Sequence, residues 1–250
     1  MSDTILNNLK KFIVVTGHYG CGKTNLVLNM ALDYASMGEK VTVVDMDLIN
    51  PYFRTSDFKG ILEEKGIEVI TPVFGATNLD IPSLPASMYS IFEKKNVVIV
   101  DVGGDDAGST VLGRFRPQFD MVDYDMLYVI NRFRSMSTDL DEAVEVLGEI
   151  MAVSGLKPSG LVNNSHLMAE TTQAIFDEGL NFADRISEKT GLPVLFSTVE
   201  KELLNSGVIT VKKETLSGAP EEVKDSLVQR IYPIDIHVKT VWQKTNRLMI

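Results

Sequence analysis

Short apolar runs alternate along this chain with longer stretches of helical periodicity. Seven runs read as strands: Phe12–Thr16, Lys40–Asp45, Glu68–Thr71, Val97–Asp101, Met126–Asn131, Pro158–Asn163 and Pro193–Ser197. Most are nearly continuous hydrophobic segments, the pattern of strands buried on both faces. Apolar residues at helical spacing are clearest over Asn25–Met37, Thr138–Val153 and Glu170–Lys189. Strands separated by helices of this length predict βαβ units. The expectation is an α/β fold with a mostly parallel central sheet of about seven strands and helices on both faces. Ligands of such sheets sit at the carboxyl ends of the strands, so the loops after each strand carry the interest.

At 250 residues the chain fits one domain over 1–250, with a core at about 12–199 and a C-terminal extension at about 200–250. A hydrophobic content of 44% and 23% charged residues suit a soluble globular protein. The single cysteine excludes an intramolecular disulfide. No apolar stretch reaches the roughly 18 residues of a membrane span, and no leader pattern opens the chain. These features predict a cytoplasmic protein. The net charge of −10 repels phosphate backbones, so nucleic acid is not an expected partner. A small phosphorylated ligand is still admissible, because backbone dipoles hold it locally.

The strongest chemical signal is Gly17-His18-Tyr19-Gly20-Cys21-Gly22-Lys23-Thr24, which reads G-x-x-x-x-G-K-T between a strand and a helix. Its glycines let successive backbone N–H groups turn inward onto phosphate oxygens. The following helix, opening at Asn25, adds its positive dipole end. Lys23 is expected to reach the β- and γ-phosphates, and Thr24 to place its hydroxyl on Mg²⁺. Cys21 reads as a small spacer, although a helix N-terminus can also activate a thiol.

Three further segments fit this cradle. Asp45-Met46-Asp47 closes the second strand, 22 and 24 residues after Lys23. A carboxylate there is suited to hydrogen-bond an attacking water. Val97-Val98-Ile99-Val100-Asp101 is an apolar run ending in a carboxylate suited to Mg²⁺, held through water. Gly103 and Gly104 follow it, and their bare backbone allows N–H groups to approach a γ-phosphate. Asp105 and Asp106 read as a solvated loop. Finally, Gly160-Leu161-Val162-Asn163-Asn164 ends in two amides, each a donor and an acceptor. With no Asn-Lys-x-Asp guanine reader in the chain, adenine is the expected base, with Asn164 ahead of Asn163 as its reader.

In this order the four segments resemble the SIMIBI class of P-loop ATPases that includes MinD, ParA, the arsenite-pump ATPase and the nitrogenase iron protein. Asn50-Pro51-Tyr52-Phe53-Arg54, Asp101-Val102-Gly103-Gly104-Asp105-Asp106 and Gly160-Leu161-Val162-Asn163-Asn164 are similar to a bacterial MinD/ParA/CobQ-type nucleotide-binding group. The resemblance spans about Phe12 to Ser197. It implies ATP and Mg²⁺ as ligands, slow hydrolysis, a protein partner and a homodimer. It puts water activation on Asp47, support of the metal shell on Asp45 and base recognition on the asparagine pair. The chain departs from the class at His18, where MinD-like members carry a second lysine that reaches a partner's nucleotide. Arg54, Arg132 and Arg134 are the candidates for a replacing positive charge.

Two other readings share the scaffold. Dethiobiotin synthetase and CobQ-type enzymes phosphorylate a carboxylate, and an acceptor here would lie near Asp47, Asn50 and Arg54. A non-catalytic assembly factor is the second, but the chain has no Cys-x-x-Cys, and His18, His166 and His237 lack ligand spacing. In the tail, Val238, Val241, Trp242, Leu248 and Met249 recur at helical spacing. Packing on the body or on a second subunit is expected there, rather than membrane contact.

Overall fold

A computed structural model describes residues 2–47, 55–71, 86–104, 106–134, 139–211 and 230–238. Asn50, Arg54, Asp105 and the tail beyond Val238 lie outside the described residues. The strands are β1 (Phe12–Gly17), β2 (Val41–Met46), β3 (Glu68–Ile70), β4 (Val97–Val102), β5 (Tyr124–Ile130), β6 (Gly160–Asn163), β7 (Val194–Glu200) and β8 (Ile231–Ile234). The helices are α1 (Ser2–Asn7), α2 (Lys23–Ser36), α3 (Lys59–Glu64), α4 (Ala86–Ser90), α5 (Asp106–Arg114), α6 (Arg116–Phe119), α7 (Leu140–Ser154), α8 (Gln173–Thr190) and α9 (Lys201–Asn205).

The strands form one sheet in the order β3-β2-β4-β1-β5-β6-β7-β8. Every pairing is parallel. The sheet has eight strands, one more than the apolar pattern predicts. The extra strand, β8, is a four-residue edge strand containing Pro233. Proline removes one ladder donor, which an edge tolerates and a central position does not. The presumed extension thus returns to complete the sheet.

Successive residues of β1 face opposite layers. Ile13 and Val15 pack with Leu26, Val27 and Met30 of α2. Phe12 and Val14 pack on the other side with Phe115, Phe119, Leu147 and Ile150. Burying a large apolar side chain contributes roughly 1.5–3 kcal/mol, so the two layers hold the central strands rigid. The expected helix Glu170–Lys189 begins at Gln173 instead, because the Thr172 side chain caps it by accepting from the Ile175 N–H. Residues Met168–Glu170 form a separate 3₁₀ turn.

β1 lies between β4 and β5, so the chain crosses over it on the way from β4 to β5. Such a crossover opens a crevice at the carboxyl ends of the strands. The loops after β1, β2, β4, β5 and β6 all end on that edge. Among the described residues no helix is long and apolar enough to cross a membrane.

Candidate nucleotide site

The loop between β1 and α2 has the bends that a phosphate cradle needs. Gly22 sits at φ +95° immediately before α2, and a Cβ there would collide with the Asn164 amide nitrogen. Only glycine meets both conditions. The Lys23 ammonium lies folded across the loop, donating to the carbonyls of Gly17 (3.0 Å) and His18 (2.9 Å). Gly104 closes over it from β4. A Cβ on Gly104 would collide with the Tyr19 backbone nitrogen and lie 2.8 Å from Lys23 Nζ. The bare Gly104 backbone therefore lies against the β1–α2 loop.

Beside the lysine lies a buried acidic cluster. Register places Asp45 of β2 directly opposite Asp101 of β4. Asp101 Oδ2 accepts from the Thr24 hydroxyl at 2.9 Å and from the Thr55 hydroxyl at 2.7 Å. Burial and the neighbouring Asp45 push the Asp101 carboxyl up to about 7, against the opposing pull of Thr55, Lys23 and Thr24. The Asp47 backbone N–H donates to Asp45 Oδ1 at 3.0 Å, fixing the turn after β2. Two buried carboxylates with hydroxyls beside them are all-oxygen donors, which suit a hard cation such as Mg²⁺. Among the described residues, no group of three or more His, Cys, Asp or Glu side chains forms a metal cage. Mg²⁺ in nucleotide sites keeps waters and phosphate oxygens and needs no such cage.

A cavity of about 280 Å³ opens from the cradle. Tyr19, Gly20, Gly22, Lys23 and Thr24 of the loop line it together with Asp47, Asn164, His166, Met168, Ile236 and Val238. The fold thus brings the cradle, the Asp45–Asp47 turn, Asp101 and the end of β6 to one place. His18 is half-buried, with Nδ1 3.2 Å from the Tyr19 carbonyl, while Tyr19 is exposed.

Several expected roles change with the geometry. Asn163 does not line the cavity. Its Nδ2 donates to Ser197 Oγ (3.2 Å) and its Oδ1 accepts from the Ser165 N–H (3.1 Å). Asn164 does line it, yet its Nδ2 donates to the Cys21 carbonyl (2.7 Å) and its Oδ1 accepts from Thr198 (2.5 Å). Both amides therefore tie β6 to its neighbours. The Asn25 side chain binds the backbone of Asp235, His237 and Val238. Arg132 turns to α8, where it pairs with Glu178 (3.2 Å) and lies over Phe182, whereas Arg134 lines the cavity. Burial pushes the Cys21 thiol above its usual range, which favours the spacer role over redox chemistry.

The sequence gives no forewarning of Thr55, His166, Met168, Ile236 or Val238 as site residues. The last two arrive because Asn25 and Asn29 pin the segment after β8 to α2: Asn29 donates to the Asp235 carbonyl (2.9 Å) and accepts from its N–H (2.7 Å). An Asn-x-x-x-Asn spacing on the cradle helix is the one signal that could have shown a docked backbone.

No protein-family model matches the chain. No curated protein matches it either. Solved structures do. The signal recognition particle receptor FtsY from Elizabethkingia anophelis, in complex with GDP, is 19% identical with a TM-score of 0.50, over 78% of this chain and 63% of its own. FtsY from Mycoplasma mycoides is 18% identical with a TM-score of 0.51, over 80% of this chain and 64% of its own. The chain thus spans under two thirds of either protein's length. At this identity the likeness is one of architecture: the chain shares the parallel α/β fold of these two structures.

Proposed function

We propose that this protein is a Mg²⁺-dependent nucleoside triphosphatase of the MinD/ParA-like kind, using ATP and acting as a nucleotide-controlled switch. The observation that carries the reading is that Lys23, Thr24 and Asp47 line one cavity, with Asp101 bonded to Thr24 behind it. On this reading Lys23 Nζ exchanges the Gly17 and His18 carbonyls for phosphate oxygens. Thr24, Asp101 and Asp45 would hold Mg²⁺, which when bound would supply positive charge to the triphosphate. Asp47 accepts a hydrogen bond from a water and aims it at the γ-phosphorus. As the water oxygen attaches, its proton passes to the Asp47 carboxylate and the bond from that phosphorus to the bridging oxygen breaks, giving the nucleoside diphosphate and phosphate. The Gly103-Gly104 loop contacts the cradle and so senses whether the γ-phosphate is present, which a protein partner or a second copy would read.

Adenine is favoured because the sequence carries no Asn-Lys-x-Asp guanine reader. One similar structure was solved with GDP, so GTP is the competing nucleotide. Side-by-side titration with ATP and GTP distinguishes them. Asp47→Ala is expected to keep ATP binding and lose hydrolysis by about 100-fold or more, as expected for a positioned general base. Unchanged turnover would remove Asp47 from the mechanism.

A further inference from the structure

Accepting a purine nucleotide in this cavity leaves open which group reads its base, since the β6 amides are bonded elsewhere. We propose that His166 reads it, donating from Nε2–H to a ring nitrogen of adenine held between the apolar walls of Met168, Ile236 and Val238. The proposal rests on the nucleotide reading above.

The tautomer follows from one hydrogen bond. His166 Nδ1 accepts the Met168 backbone N–H at 3.1 Å. A neutral imidazole with an accepting Nδ1 carries its proton on Nε2, so it offers the cavity a donor and nothing else. The ring is 7% exposed and lines the cavity. Burial, with Arg134 nearby, lowers its pKa to about 4, so it stays neutral at physiological pH.

The backbone supports the same conclusion. Met168 sits at φ +55°, the one non-glycine residue at positive φ among the described residues. A non-glycine residue there is strained and persists only where its surroundings enforce it. Thr171 enforces it: its hydroxyl donates to the Met168 carbonyl (2.6 Å) and accepts from the Leu167 N–H (2.9 Å). This strained turn aims the Met168 N–H at His166 Nδ1 and sets the Met168 side chain on the cavity wall. Ile236 and Val238, which also line the cavity, are placed by the Asn25 and Asn29 bonds to the chain after β8. Apolar walls beside an oriented ring donor suit a flat heteroaromatic ring carrying acceptor nitrogens.

The test uses 1-deaza-, 3-deaza- and 7-deaza-ATP, each replacing one acceptor nitrogen by C–H, titrated with Mg²⁺ into the full chain. One analogue is expected to bind about 3- to 10-fold more weakly than ATP, the cost of one lost hydrogen bond. In His166→Phe that same analogue should match ATP. Equal affinity of all three analogues and ATP for the unaltered protein would overturn the proposal without needing any variant to fold. So would a penalty that survives in His166→Phe. Inorganic tripolyphosphate separates the layers: failure of both it and ATP to bind would overturn the nucleotide reading itself.

Discussion

The Thr55 hydroxyl lies 2.7 Å from Asp101 Oδ2 and donates to it, although 46 positions separate the two residues. Thr55 opens the short 3₁₀ turn Thr55–Phe58, downstream of the Asp45–Asp47 turn. It shares its acceptor oxygen with Thr24 of the cradle. One carboxylate oxygen thus joins the phosphate loop to the segment after β2, so a cation held by Asp101 is felt on both.

That bond has a measurable value. Thr55→Val leaves a buried carboxyl short of a donor and should lower the unfolding free energy by about 1–3 kcal/mol. Thr55→Ser should restore most of it. Urea melts of the three proteins check this, and equal midpoints would mean that Asp101 does not depend on Thr55.

Gly22 and Asn164 form a second coupled pair. Gly22→Ala places a methyl against the Asn164 amide at φ +95° and should destabilise the protein by about 1–3 kcal/mol. Asn164→Ala removes the obstacle but also the tie to the Cys21 carbonyl. The double variant should therefore be more stable than the sum of the single effects predicts, by about 0.5 kcal/mol or more. Strict additivity in a double-mutant cycle would contradict the packing described.

His166 gives a signature in acid. Its pKa falls from 6.5 to about 4 on folding, so the folded state favours the neutral ring. The associated stability is present above pH 6.5 and is lost as pH drops through 4. Up to about 3 kcal/mol is at stake. His166→Phe should flatten this part of the profile in urea melts from pH 7 to 4. An unchanged acid slope would show that another group controls it.

Much of this was legible because the chemistry is local. The run Phe12–Thr16, the glycines and Lys23-Thr24 are contiguous, so strand, cradle and helix can be read as one pattern. Asp101 was legible because four buried apolar residues precede it. β8 was not, since four residues with a proline carry too little alternation to distinguish from a loop. The asparagine pair announced the end of β6 but not its bonding, because Cys21 and Thr198 reach it only in three dimensions. Thr55 and His166 stayed hidden for the same reason. The positive φ of Met168 is imposed by Thr171, not by a residue type that favours it.

The central claim is that the loop Gly17–Thr24 binds a nucleoside triphosphate through Lys23. Calorimetric titration of ATP with Mg²⁺ into the unaltered protein and into Lys23→Ala tests it most directly. One site is expected in the unaltered protein, with affinity weakened at least about 100-fold in the variant, as when a charge-assisted phosphate contact is lost. Equal affinity in the two proteins, or no binding to the unaltered one, would contradict it.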